Sequence, residues 1–306
     1  MKKSCIYSCL LIGLWFGVSN AIAAQLLYGD RDTENQFFRT IRANQQESYI
    51  TFGGGLGHND ALIFEANVSP YFLLRTSKNV RWGATLSPSI IMRMYALESF
   101  PVYTPSYMPH LSFYRLLCGT HDDRIRYVFL TLAHHSNGQE DPFYNPDGTI
   151  NRISGDFSTN YIELGIFFNE RIVPLSNTLE YFRISMEYHP DFYRTAELDG
   201  QYGFVRLNSS FRVFRTLDPW RNLELSRASR LQTTLHTTWI FGKLQNAGSF
   251  DLKERFMASL TFTYRPGILS DVGFFINFYT GKDYYNILFN ERLSVIRFGI
   301  QAFTKR

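Results

Sequence analysis

The chain has 306 residues, a formal net charge of +4 and 17% aromatic residues, among them 28 Phe and 19 Tyr. The charge is too small to point to nucleic acid, and no segment beyond the first two dozen residues approaches the ~18 continuous apolar residues of a membrane-crossing helix. An aromatic-rich chain of this kind suits an architecture that spreads its apolar residues one in two along strands.

At the start, Lys2 and Lys3 precede an apolar stretch from Ile6 to Val18 and the small-residue run Ala21-Ile22-Ala23-Ala24. This is the order of a secretory signal, so residues 1–24 are read as a cleaved leader and 25–306 as one exported domain. Cys5 and Cys9 leave with the leader, and Cys118 then has no partner for an intramolecular disulfide.

Beyond the leader a period of two dominates. Val80, Trp82, Ala84, Leu86, Pro88, Ile90, Met92 and Met94 alternate with Arg81, Gly83, Thr85, Ser87, Ser89, Ile91, Arg93 and Tyr95. Successive strand residues face opposite sides, so this is an apolar stripe backed by a polar one, long enough to cross a bilayer at a tilt. Such segments are predicted near 48–56, 61–74, 80–96, 107–118, 125–136, 159–169, 180–190, 202–215, 229–241, 255–265, 271–280 and 292–304. The fold class is therefore all-β: a transmembrane antiparallel β-barrel of about twelve strands, placed in the bacterial outer membrane. Arg183, Glu187, Arg206 and Arg212 fall on the polar parity and would share the lumen, where each needs a partner. Residues 138–158, rich in Gly, Pro, Asn and Asp, read as a long extracellular loop, and no helical periodicity is read in the mature chain.

The segment before that loop carries the chemistry. One parity reads Val128, Leu130, Leu132, His134, Ser136; the other reads Tyr127, Phe129, Thr131, Ala133, His135. The following strand gives Asn160, Ile162, Leu164, Ile166 and Phe168 on one face. His134, Ser136 and Asn160 thus end lipid-facing stripes on adjacent antiparallel strands. A hydroxyl, an imidazole and an amide in that arrangement can act as nucleophile, general base and orienting group. Gly138 lets a backbone N–H approach a developing oxyanion. His135 falls on the inward parity and reads as a member of a lumenal network. The other histidines show no transition-metal spacing.

His134-x-Ser136-Asn137-Gly138-x-x-Asp141-Pro142 resembles the active-site signature of the outer membrane phospholipase A family, and Ser158-Thr159-Asn160 is similar to the segment carrying that family's catalytic Asn. Tyr279-Thr280-Gly281 through Phe289-Asn290-Glu291-Arg292 looks like its C-terminal hairpin. The resemblance implies a twelve-stranded barrel, active as a homodimer, that hydrolyses acyl esters of glycerophospholipids and lysophospholipids with Ca2+. It assigns Ser136 as nucleophile, His134 as base, Asn160 as the residue orienting His134, and Gly138 as oxyanion donor. It also implies calcium ligation by the Asp141 carboxylate and the Gln139 carbonyl, with Ser99 supplied by a dimer partner. The loop after Asp141 is longer than the family's, which leaves Asn151 as a rival to Asn160. Asn160 is preferred because its strand continues the lipid-facing stripe. The alternatives are a lipid A deacylase, which also uses a His-x-Ser pair on a barrel exterior, and a non-enzymatic pore.

Overall fold

The computed structural model describes residues 31–76, 80–119, 124–169, 178–215, 230–244, 247–269 and 271–302. The leader read over residues 1–24 lies outside the described residues, with Cys5 and Cys9; so do His121 and the Cys118 side chain.

Thirteen strand segments form one antiparallel sheet that closes on itself. They are β1 (Tyr49–Thr51), β2 (Leu62–Val68), β3 (Phe72–Leu74), β4 (Trp82–Tyr95), β5 (Ser106–Gly119), β6 (Ile125–Ser136), β7 (Ser158–Phe168) and β8 (Thr178–Tyr188). β9 (Val205–Arg215), β10 (Leu231–Phe241), β11 (Phe256–Tyr264), β12 (Val272–Lys282) and β13 (Arg292–Ala302) complete the set. β1 pairs with both β13 and β2, and β2 pairs with β4, which seals the ring. β2 and β3 lie on the same edge of β4, against Ile90–Tyr95 and Ala84–Leu86 respectively. They occupy one position, so the ring is a twelve-stranded barrel.

Proline explains that division. The alternation predicts one strand over 61–74, but Pro70 has no N–H to give to the ladder. Its carbonyl is held instead by the Ser87 hydroxyl, 2.6 Å away. The first strand is also shorter than predicted. Gly55 and Gly57 have φ of +87° and +89°, and a Cβ on either would lie within 2.5 Å of a β13 carbonyl oxygen. The chain leaves regular pleating there, yet Phe52 N and Leu56 N still donate to the carbonyls of Phe298 and Ile296.

The two faces invert the soluble pattern, as the parity predicts. Trp82, Leu86, Phe113, Leu130, Leu164 and Phe274 are exposed, whereas Thr85, Ser87, Ser89, Thr131, Glu163 and Asn277 are buried. Lipid is the solvent for the first group and the lumen encloses the second, the arrangement of an outer-membrane β-barrel.

The inward charges are paired, as buried charges must be. Arg93 Nε lies 2.8 Å from Glu65, and its Nη atoms lie 2.7 and 2.8 Å from the two Asp283 oxygens. Arg297 reaches Glu65 at 2.7 Å, and Tyr49 and Tyr284 donate to the same carboxylate. Arg183 meets Glu163 at 2.7 Å, and Arg206 meets Glu187 at 3.4 Å. These contacts fix the segment after β12 inside one mouth of the barrel. There Tyr285, Ile287, Leu288 and Phe289 pack with Phe143, Phe157, Leu198 and Tyr202.

A helix corrects the expectation of a chain without helical segments. α1 (Arg31–Ala43) fills the opposite end of the lumen. Its Phe37, Phe38 and Ile41 share one face and pack against Tyr127, Phe129, Phe167, Tyr181 and Phe214. The side-chain amides of Asn44 and Gln45 donate to the Thr40 and Ile41 carbonyls, satisfying helix-end acceptors. Arg212 donates to the Ala43 carbonyl. A one-turn helix, α2 (Leu252–Arg255), precedes β11. Between the two plugged ends lies a polar cavity of about 560 Å³, lined in part by Glu47, His110, Glu163, Arg183, Gln232 and His236.

Candidate active site on the barrel exterior

β6 and β7 pair in a register that sets His134 opposite Asn160 and Ser136 opposite Ser158. Leu130 and Leu132 on the same face are exposed, while Tyr127, Phe129, Thr131, Ala133 and His135 are buried. The strand period therefore carries His134 and Ser136 to the lipid side. Directly opposed residues of an antiparallel pair have Cβ atoms ~5 Å apart, close enough for side chains to bond. His134 Nδ1 lies 2.8 Å from Asn160 Oδ1. Asn160 Nδ2 donates to the Phe192 carbonyl at 2.6 Å. Ser136 is the last residue of β6, and its hydroxyl takes no hydrogen bond among the described residues.

The turn after Ser136 is organised by Asn137, which is fully buried. Its Nδ2 donates to the Gly155 carbonyl at 2.8 Å, and its Oδ1 accepts from Gln139 N at 3.2 Å and Phe157 N at 3.1 Å. Asn137 N also donates to the Phe157 carbonyl. This lets Gly138 sit at φ +66°, a left-handed conformation that glycine adopts without steric cost.

The long loop is folded over the barrel mouth. Arg152 is 2.9 Å from Asp60 and 3.5 Å from Glu291, and Phe143 and Phe157 are buried. Asn151 lies within it: its Nδ2 donates to the Pro142 carbonyl and Ser154 Oγ, and its Oδ1 accepts from Ile153 N and Ser154 N. The imidazole of His134 is bonded to Asn160 instead. At the loop tip, Asp147 Oδ1 accepts from the Thr149 hydroxyl and N–H, which hold its carboxyl below the usual carboxylate range.

Asp141 is exposed, and its carbonyl accepts from Asp156 N at 2.9 Å. Gln139 is half-buried two residues before it. Ser99 lies at φ +64° on the exposed β4–β5 connection at the same end of the barrel. Among the described residues, no three His, Cys, Asp or Glu side chains group closely enough to hold a metal. The inward neighbour His135 is buried, with Nε2 3.3 Å from Ser106 Oγ and its ring against Phe157.

Two features of the site go beyond the roles read from the sequence. Asn137 stands in the signature without a role of its own, although an Asn beside a glycine at a strand end is a turn signal. The segment 189–195 carries no motif, because it contributes main-chain carbonyls. Its first residue, His189, is held below the usual imidazole range by burial, against the opposing hydrogen bond to Glu187.

The ring and its lipid-facing exterior define a twelve-stranded outer-membrane β-barrel. No protein-family model matches the chain, and no curated protein does. Among solved structures, its fold is that of outer membrane phospholipase A. The Escherichia coli protein superposes with a TM-score of 0.57 at 13% identity, over 84% of this chain and 90% of that one. An active-site mutant of it, with an asparagine replaced by alanine, gives 0.56 at 14% identity, over 94% and 98%. A Salmonella typhi phospholipase dimer with bound calcium gives the same score, identity and coverage.

Proposed function

We propose that this barrel hydrolyses acyl ester bonds of glycerophospholipids and lysophospholipids in the outer leaflet of the outer membrane, using Ser136, His134 and Asn160. The observation that carries this reading is the 2.8 Å contact between His134 Nδ1 and Asn160 Oδ1, with a serine two residues on along the same lipid-facing stripe. The site opens sideways into the bilayer, where ester carbonyls of phospholipids lie. The asparagine-to-alanine active-site mutant of the E. coli neighbour supports an amide as third member.

In this mechanism His134 Nε2 takes the Ser136 proton as Oγ attacks the ester carbonyl. The Gly138 N–H donates to the developing oxyanion. Collapse expels the alcohol, protonated by His134, and leaves an acyl-serine. Water, deprotonated by His134, then releases the fatty acid and regenerates Ser136. Catalytic contacts that are open before substrate arrives tighten when it binds, and rotation of the Ser136 side chain toward His134 would close this one.

Calcium is part of the proposal. The Asp141 carboxylate and Gln139 carbonyl are hard oxygen donors, suited to Ca2+ rather than to a softer metal. Ca2+ takes ~6–8 oxygens, so this single-chain set is incomplete, and Ser99 of a partner subunit is proposed to help complete it. When bound, the ion would supply positive charge beside the oxyanion. The calcium-bound Salmonella dimer supports both the ion and the homodimer. Residues 1–24 are proposed as the export signal.

The test is fatty-acid release from phosphatidylethanolamine vesicles by the Ser136→Ala variant, with barrel folding checked by heat-dependent gel mobility. Activity is expected to fall at least ~10³-fold with folding unchanged. A folded Ser136→Ala barrel that still releases fatty acid overturns the reading.

A further inference from the structure

We infer that His189–Thr195 is a positioning strap whose Phe192 carbonyl decides which nitrogen of His134 carries the proton. The inference rests on the catalytic reading above and concerns how its third member is oriented.

An asparagine amide presents a donor at one end and an acceptor at the other, and a half-turn exchanges them. Which end meets His134 therefore selects the imidazole tautomer. The Phe192 carbonyl can only accept, so the Asn160 atom 2.6 Å from it must be the NH2 group. The oxygen then faces His134 at 2.8 Å and can only accept, so Nδ1 carries the hydrogen. Nε2 is left with its lone pair, the form that a base for Ser136 requires. With the amide turned over, Nδ1 would be the acceptor and Nε2 would already be protonated. The same carbonyl accounts for an amide at this position, since a carboxylate there would set acceptor against acceptor.

The strap is built to deliver that carbonyl. It leaves β8 and is sewn to β7 from both of its own ends, at Ser158 and Thr159, the two residues before Asn160. At one end, Thr195 N donates to the Ser158 carbonyl at 2.9 Å, and Ser158 N donates to Thr195 Oγ1 at 2.8 Å. Thr195 Oγ1 in turn donates to Asp156 at 2.8 Å. At the other end, His189 Nδ1 is 3.0 Å from Thr159 Oγ1, with its Nε2 2.6 Å from Glu187. Between these anchors Tyr193 adopts φ +47°, a left-handed conformation that a bulky residue rarely takes. The bend points consecutive carbonyls at β7: Phe192 O accepts from Asn160, and Tyr193 O accepts from Ser158 Oγ at 3.2 Å. Phe192 and Tyr193 are 61% and 81% exposed, so polar anchoring rather than burial of these residues fixes the turn.

The test is a cycle of variants in the full-length barrel, with kcat and KM measured on phosphatidylethanolamine vesicles. Thr195→Val keeps the shape of the side chain but removes the hydroxyl that ties the strap to Ser158 and Asp156. It is expected to lower kcat about tenfold, the worth of one hydrogen bond, with KM changed less than about twofold. In an Asn160→Ala background it should lower kcat by less than about twofold, because the strap acts through an amide no longer present. Asn160→Asp should be at least about tenfold less active than the parent, and adding Thr195→Val should partly restore it by letting the carbonyl withdraw. A merely structural role would add its cost in every background and rescue none. Full multiplication of the Thr195→Val loss in the Asn160→Ala background overturns the inference, as does an Asn160→Asp barrel as active as the parent. Should Thr195→Val not fold, the comparison of Asn160→Asp with the parent decides. An inactive Ser136→Ala barrel alongside a multiplicative cycle rejects the strap alone, whereas an active one rejects the catalytic reading itself.

Discussion

His134 and His135 are consecutive residues of β6 that face different surroundings. His134 looks into lipid and is met by a neutral amide, while His135 is sealed in the lumen beside Ser106 and Phe157. The contrast extends to the two faces of the barrel. Inside, Glu65 receives Arg93, Arg297, Tyr49 and Tyr284, a dense network of full charges. Outside, the polar cluster is a hydroxyl, an imidazole and an amide, with no carboxylate or guanidinium among them. Lipid does not solvate an isolated charge, so chemistry on that face is best served by groups that become charged only transiently. The lumen tolerates the full charges of Glu65, Arg93, Asp283 and Arg297 because they are paired with one another. Structure is held by the inner face and, on the proposed reading, reaction is left to the outer.

Substitutions that separate stability from activity sharpen this division. The largest effect on stability is expected from Arg93→Ala, which strands Asp283 in a buried site. It should cost about 3–5 kcal/mol in urea unfolding while the folded fraction keeps its activity. Phe37→Ala hollows the aromatic cluster between α1 and the barrel wall, at the end far from the site. A loss of about 3 kcal/mol with unchanged kcat is expected. Smallest is Asp141→Ala, at an exposed position that bears on no packing. It should leave stability unaltered and raise the Ca2+ concentration for half-maximal activity roughly tenfold, read by titrating calcium into chelator-treated protein. Loss of activity in folded Arg93→Ala would blur the division, and calcium-independent activity would remove the metal from the mechanism.

The barrel was legible because lipid outside and paired charge inside leave opposite marks on alternate residues. Arg183 and Glu163 could be assigned to the lumen from parity alone, and so could the outward position of His134. The helix α1 was not legible to that test. Its Phe37, Phe38 and Ile41 follow a helical period within a short, charged stretch, and their packing surface is the barrel's own inward aromatic residues. Pro70 and the glycines at 53–57 broke strands that the alternation carried straight through. At the site, the His134–Asn160 pairing follows from register and could be anticipated. The locking of the turn by Asn137 had a signal in the Asn-Gly pair at the strand end, whereas the strap carbonyl of Phe192 had none, because a main-chain acceptor leaves no trace in residue type.

Fatty-acid release by His134→Ala and His135→Ala, measured side by side on folded barrels, tests most directly whether the chemistry belongs to the lipid-facing side of β6. The expected result is a fall of at least ~10³-fold for His134→Ala and activity near the parent level for His135→Ala. Equal losses in the two variants, or the reverse order, would contradict an active site on the barrel exterior.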